Sequence, residues 1–178
     1  MYNKLAALLL LTSALVATVE ALPEDWQQEM IIQSDRAELD RKTGMVVYEG
    51  DVVLTQGTLK IESERLVLIL NGKILEQAIA EGQPARYQQQ VSNNKPVTQA
   101  TANRIDFYAT RKEIAFKGNA ELRQENNLFS GELIRYDIEQ ETVTASGSDT
   151  PADGTAVSED KQRIRVIIQP QPDTEAQP

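Results

Sequence analysis

Residues 48–57 read YEGDVVLTQG, and a variant of the phrase returns at residues 116–124 as FKGNAELRQ. Each places an aromatic two residues before a glycine, a small polar residue after it and a glutamine six residues after it. Between them, residues 81–88 read EGQPARYQ, with the same glycine-to-glutamine spacing. Apolar residues alternate with polar ones on both sides of the glycine, so the phrase reads as a strand, a bend and a second strand. A phrase repeated in one chain describes an architecture rather than a repeated active site.

Sliding the chain along itself until Arg36 meets Arg104 extends the match without a gap. SDRAELD (34–40) falls on ANRIDFY (102–108), VVYEGDVVLTQ (46–56) on IAFKGNAELRQ (114–124), and IESERL (61–66) on FSGELI (129–134). The chain thus contains two related halves, roughly 30–92 and 98–147. Each divides again, with strands opening near Ser34, Ser63, Ala102 and Ser130 and returning to Gly50, Gly82, Gly118 and Gly147. Polar turns separate them at Asp40–Gly44, Asn71–Gly72, Thr110–Lys112 and Asp137–Glu141, Asn-Gly being the strongest short hairpin signal. The expectation is an all-β fold of successive antiparallel strands.

Period-two alternation defines one apolar face. It carries Leu39, Val46, Tyr48, Val52, Leu54, Ile61 and Leu66 in the first half. Ile105, Phe107, Ile114, Phe116, Leu122, Phe129 and Ile134 carry it in the second. The other face holds Asp51, Lys60, Glu62, Glu121, Arg123 and Arg135, but also Val47, Val53 and Val67. Two arrangements fit. The apolar face closes a β-sandwich core, or it leaves a groove, because aromatics are only 5% of the chain and medium aliphatics fill less space.

The chain has 178 residues and a formal net charge of −9, without histidine or cysteine. That inventory removes the commonest general base, thiolate nucleophiles and cysteine- or histidine-based metal sites. No basic footprint for nucleic acid is present, nor a P-loop or nucleophile elbow. The residue types imply no catalytic group, metal or cofactor. A carboxylate-pair hydrolase would need Asp35, Asp40, Glu62 or Glu64, which also fit solvated strand faces and turns.

The start of the chain reads as a secretory signal over residues 1–21. Lys4 precedes the apolar run Leu5–Val16, and Val19 and Ala21 suit the −3 and −1 positions of a cleavage site. The run is too short for a stable membrane span, and an uncleaved anchor is the alternative. A single domain is expected over 22–170 and a flexible tail over 171–178. EMIIQ (29–33) and RIRVIIQ (163–169) read as terminal strands, with the polar stretch 146–160 a loop before the second. Such edges either pair with another chain or are capped by loops.

Taken in order, MIIQSDRAELD, VVYEGDVVLTQGTLKIESERLVL, GQPARYQ, IAFKGNAELRQ and FSGELIRYD resemble the LptA/OstA family of periplasmic lipopolysaccharide transport proteins. The resemblance covers about residues 28–170. It implies an open-ended β-jelly roll of stacked antiparallel strands with an apolar groove for the acyl chains of lipid A. It also implies head-to-tail self-association, an inner-membrane LptC-like partner at one end and the N-terminal domain of an outer-membrane LptD-like protein at the other. By the same resemblance Met30 and Ile32 face the lipid and Tyr87 is an interior aromatic. The alternative is a structural β-scaffold of the same machinery, with a filled core and no lipid cargo.

Overall fold

The structure, a computed structural model, describes residues 25–90, 95–147 and 163–169. The expected leader, the tail and most of the 146–160 segment lie outside these residues. A short 3-10 turn, Asp25–Gln27, precedes ten strands: β1 Met30–Gln33, β2 Arg36–Asp40, β3 Met45–Gln56, β4 Leu59–Asn71 and β5 Ile74–Gln89. They continue as β6 Thr98–Tyr108, β7 Glu113–Gln124, β8 Asn127–Asp137, β9 Thr142–Ser146 and β10 Arg165–Ile167. All pairings are antiparallel, and β3 to β8 succeed one another as neighbours across a single sheet. The repeated halves are therefore not separate units, since β5 pairs with β4 on one side and β6 on the other.

Each long strand is creased near its middle, and the creases align. Pairing breaks at Gly50-Asp51 in β3, Glu64 in β4, Gly82-Gln83-Pro84 in β5, Asn103 in β6, Gly118-Asn119 in β7 and Glu132 in β8. Gly50 and Asp51 have φ of 81° and 40°, and Gly118 and Asn119 have 75° and 50°. Glycine takes that left-handed region freely, and Asp and Asn tolerate it better than other residues. This is the physical reason for the small polar residue after each glycine. A Cβ on Gly50 would stand 2.3 Å from Asp35 Oδ2, so close approach adds to the conformational demand. Gly147, expected to end a fourth strand pair at a bend, lies just beyond β9. The β8 crease falls instead at Glu132, beside Gly131.

The crease folds the sheet onto itself as two leaves. Leaf I holds β2, β9 and the crease-to-turn portions of β3 to β8 that carry Tyr48, Leu66, Ala80, Ile105, Phe116 and Ile134. Leaf II holds β1, β10 and the remaining portions. The row of leaf II next to the crease is Val52, Ser63, Ala85, Ala102, Ala120 and Gly131, all small. The facing row of leaf I, cross-strand partners in sequence, is Tyr48, Leu66, Ala80, Ile105, Phe116 and Ile134. Small residues let the leaves converge at the crease, and larger ones hold them apart further out, giving a wedge. The sheet does not close into a barrel, and the fold is an open-ended jelly roll.

Charge locks the outside of the crease. Register partners Arg36, Glu49, Arg65, Glu81, Arg104 and Lys117 alternate in sign except at the last step, where Asp106 sits between two cations. Arg65 reaches Glu81 at 3.1 Å, Arg104 reaches Glu81 and Asp106 at 2.9 Å, and Lys117 reaches Asp106 at 3.1 Å. Each exposed pair is weak alone, but cross-strand alternation favours this register over its neighbours. Asp106 is fully buried on this outer side with Ile79 and Ala115 as its cross-strand partners, and Val67 and Leu133 are buried on the same face. That patch accounts for part of the outer face's apolar character.

Candidate functional site: an apolar groove between the leaves

Interior side chains form rows that cross the sheet at right angles to the strands. On leaf II one row runs Ile32, Leu54, Ile61, Tyr87, Ala100, Leu122, Phe129 and Val166, one residue from each of the eight strands of that leaf. On leaf I the opposing row runs Leu39, Val46, Leu68, Ala78, Phe107, Ile114, Tyr136 and Val143. With neighbouring strands about 4.8 Å apart, eight strands carry an uninterrupted apolar lane for about 34 Å. Tyr87 meets Phe116 edge to face across the leaves, with ring centroids 5.5 Å apart.

Seven of the residues expected to face the interior, Met30, Leu54, Ile61, Tyr87, Ile105, Phe107 and Ile114, line a cavity of about 370 Å³ that opens at the wide side of the wedge. Val52, Leu66, Phe116, Leu122 and Ile134 are buried in the packed zone nearer the crease and the C-terminal strands. Ile32, Val46, Tyr48 and Phe129 are partly buried against it. Leu39 differs: it occupies the first place of the leaf I row on edge strand β2, 54% exposed, with no further strand beyond it among the described residues. Sequence reasoning missed Leu59, Leu75, Ala78 and Ile138, which also line the cavity. Leu59, Leu75 and Ile138 adjoin turns, where alternation is too short to read, and alanine is a weak signal at any position.

The glutamines of the repeated phrase mark the mouth, with one correction. The β5 crease is three residues long where those of β3 and β7 are two. The extra residue turns Gln88 outward and Gln89 inward. The equivalent trio is therefore Gln56, Gln89 and Gln124, in the outermost leaf II row with Leu59, Thr98 and Asn127. Gln56 donates to the Gln28 carbonyl at 3.0 Å, Gln89 to Asp25 at 2.6 Å and Gln124 to the Tyr136 hydroxyl at 3.5 Å. Asp25 also accepts from the Thr58 amide and hydroxyl at 2.7 Å each, pinning the 3-10 turn to the β3–β4 hairpin. The Tyr87 hydroxyl donates to Gln89 Oε1 at 2.6 Å, so the chain Tyr87–Gln89–Asp25–Thr58 finishes the rim.

Burial pushes the Tyr87 phenol far above its ordinary value of 10, with the nearby Tyr136 and Asp25 adding to the shift. Tyr136 moves the same way, again chiefly by burial. Below pH 10 both states keep this proton and the stability is intact. Above it the unfolded chain ionises while the folded one resists, so stability falls as pH rises. For Tyr87 alone the loss is about 1.4 kcal/mol per pH unit. Urea unfolding at pH 8, 10 and 11 is expected to show the midpoint dropping only above 10, and a Tyr87→Phe chain should lose part of that drop.

The carboxylates considered for hydrolysis do not converge. Asp35 packs beside Gly50 at the sheet edge, and Asp40 accepts from the Lys42 amide at 2.8 Å in a turn. Glu62 pairs with Lys60 at 2.6 Å. Glu64 borders a polar hollow of about 940 Å³ outside the crease, walled by Arg65, Glu81, Arg104 and Glu121. Although larger, that hollow offers ion-paired charge and little to an apolar ligand. No helix among the described residues is long and apolar enough to cross a membrane.

The profile of the family described as LptA/(LptD N-terminal domain) LPS transport protein matches residues 31–142. The chain is 38% identical over 171 residues to the lipopolysaccharide export system protein LptH of Pseudomonas aeruginosa, covering 94% of this chain and 95% of that protein. It is 30% identical to lipopolysaccharide export system protein LptA of Escherichia coli K12, covering 80% of each. The crystal structure of LptH, described as the LptA-homologous periplasmic component of the lipopolysaccharide transport device, superposes with a TM-score of 0.72 at 36% identity. The match covers 83% of this chain and all of that one.

Proposed function

We propose, since the chain belongs to the LptA/LptD N-terminal domain family of lipopolysaccharide transport proteins, that it is a periplasmic carrier whose groove shields lipid A acyl chains between the inner and outer membranes. The observation that carries this reading is the pair of apolar rows running from edge to edge between the leaves. A twelve-carbon acyl chain gains roughly 10 kcal/mol on leaving water, at about 0.8 kcal/mol per CH₂. A lane that keeps it out of water removes the barrier to crossing an aqueous compartment without catalysis, so the role is non-enzymatic.

The rows end in exposed apolar side chains, Leu39 at 54% and Val166 at 44%. Beside them β1 and β2 form one open sheet edge and β9 and β10 the other. Strand addition at either edge would continue the lane into a neighbour. The partners of this reading are a second copy of the chain, an inner-membrane LptC-like protein and an LptD-like N-terminal domain. In it residues 1–21 are a removed leader, 22–170 one domain and 171–178 a tail.

A photo-crosslinking residue placed at Leu54, Leu59 or Phe107 is expected to give adducts with lipopolysaccharide. The same residue at outward-facing Asp51 or Arg123 is expected to give few. Adducts confined to the outer positions would overturn the groove assignment. The tight packing near the crease favours the other reading, a scaffold without cargo, and that reading predicts no adducts at any of the five positions.

A further inference from the structure

The mouth of the groove is not uniform along its length. The cavity lies mainly under its β3–β6 side, between Leu54, Leu59 and Tyr87 on leaf II and Leu75 and Phe107 on leaf I, and reaches as far as Ile114 on β7 and Ile138 at the start of the β8–β9 turn. Further along, two polar contacts cross from one leaf to the other. Lys95 leaves the leaf II rim in the connection between β5 and β6, and its ammonium pairs with Glu141, in the β8–β9 turn at the leaf I rim. Behind it the Gln124 amide of leaf II donates to the Tyr136 hydroxyl of leaf I at 3.5 Å. Gln90 Nε2 donates to the Lys95 carbonyl at 3.2 Å and holds that residue in position.

We propose that Lys95 and Glu141 form a clasp across the groove mouth, which must open for a bound glycolipid to move past it; this rests on the transport reading above. Acyl chains fit between the leaves, but a sugar-phosphate headgroup is too polar to accompany them into an apolar lane. It projects through the mouth, and anything bridging the rims stands in its path. The clasp suits repeated opening. Its side chains are 38% and 45% exposed, so water competes for both charges and the pair is held weakly. The hydrogen bond to Glu141 is also the chief reason that the Lys95 amine sits above its ordinary value.

The chain has no cysteine, so Lys95→Cys with Glu141→Cys supplies its only two thiols. In cells relying on this variant, a bis-methanethiosulfonate linker long enough to replace the two side chains is expected to tie the rims together and stop lipopolysaccharide from reaching the surface, while adducts at Leu59 persist; reductant, which releases the linker, restores delivery. Delivery that continues through the linked protein would overturn the clasp. Loss of adducts at Leu59 in every variant would instead defeat the transport reading itself. Independently, Lys95→Glu is expected to raise the ratio of adducts at Phe129 to those at Leu59 by roughly two- to threefold, the scale of a weak exposed pair. Adding Glu141→Lys should bring the ratio back. An unchanged ratio in Lys95→Glu, or no recovery in the swapped pair, would also count against the clasp.

Discussion

Replacing Phe116 with alanine is expected to lower the unfolding free energy by about 3–5 kcal/mol. Phe116 is fully buried in the leaf I row next to the crease, between Ile105 and Ile134, and faces the small-residue row of leaf II. Its ring is the one that Tyr87 meets across the leaves. Truncation removes apolar area and leaves a void that a hydrogen-bonded sheet cannot collapse to fill. Against a typical total of about 5–15 kcal/mol, the loss takes away much of the stability. With a urea dependence of about 2 kcal/mol/M, the midpoint should fall by about 1.5–2.5 M. A loss below about 1 kcal/mol would mean that the leaves are not packed at this point.

Phe107→Glu is expected to weaken lipopolysaccharide binding at least tenfold while the protein stays folded. Phe107 lines the cavity in the outer leaf I row, between Ala78 and Ile114, and is only partly buried. A carboxylate there reaches water when the groove is empty, so the fold tolerates it. When acyl chains enter, the charge faces hydrocarbon without a partner and opposes them. Phe107→Leu keeps the apolar wall and should bind within a few-fold of the parent. Equal binding by the glutamate and leucine variants, measured by titration alongside thermal unfolding, would show that acyl chains do not pass this wall.

Period-two alternation was enough to assign which side of each strand faces the interior, because a half-buried strand must place apolar residues at every second position. Thus Tyr48, Val52 and Leu54 on β3 and Phe116, Ala120 and Leu122 on β7 all point inward, across creases of equal length. The groove was harder to read. Its rows take one residue from each strand, and neighbours such as Tyr87, Ala100 and Leu122 meet only through register. The β5 crease broke the apparent repeat because spacing in sequence matched Gln88 while the pleat selected Gln89. Leu39 shows the other limit. Its pattern assigns a side, but burial depends on what stands beyond the edge strand. The crossing contact between Lys95 and Glu141 had no signal in the sequence, since it joins two turns on opposite leaves.

The unequal creases have a consequence for how this sheet tolerates change in chain length. A strand behaves like text with a two-letter reading frame, and each crease resets that frame for the residues beyond it. Deleting Gln83 would only shorten the β5 crease to the two residues found in β3 and β7 and leave Tyr87 inward, whereas deleting Arg86, beyond the crease, would act as a frameshift, sending Tyr87 to solvent and Gln88 to the interior for the rest of β5. Insertions at the hairpin turns along the mouth carry no such penalty, because each strand restarts its frame from its neighbour. Relatives of this chain should therefore differ in length at the turns and at the creases, and within a straight run only when the residues beyond the change trade polar for apolar positions in step.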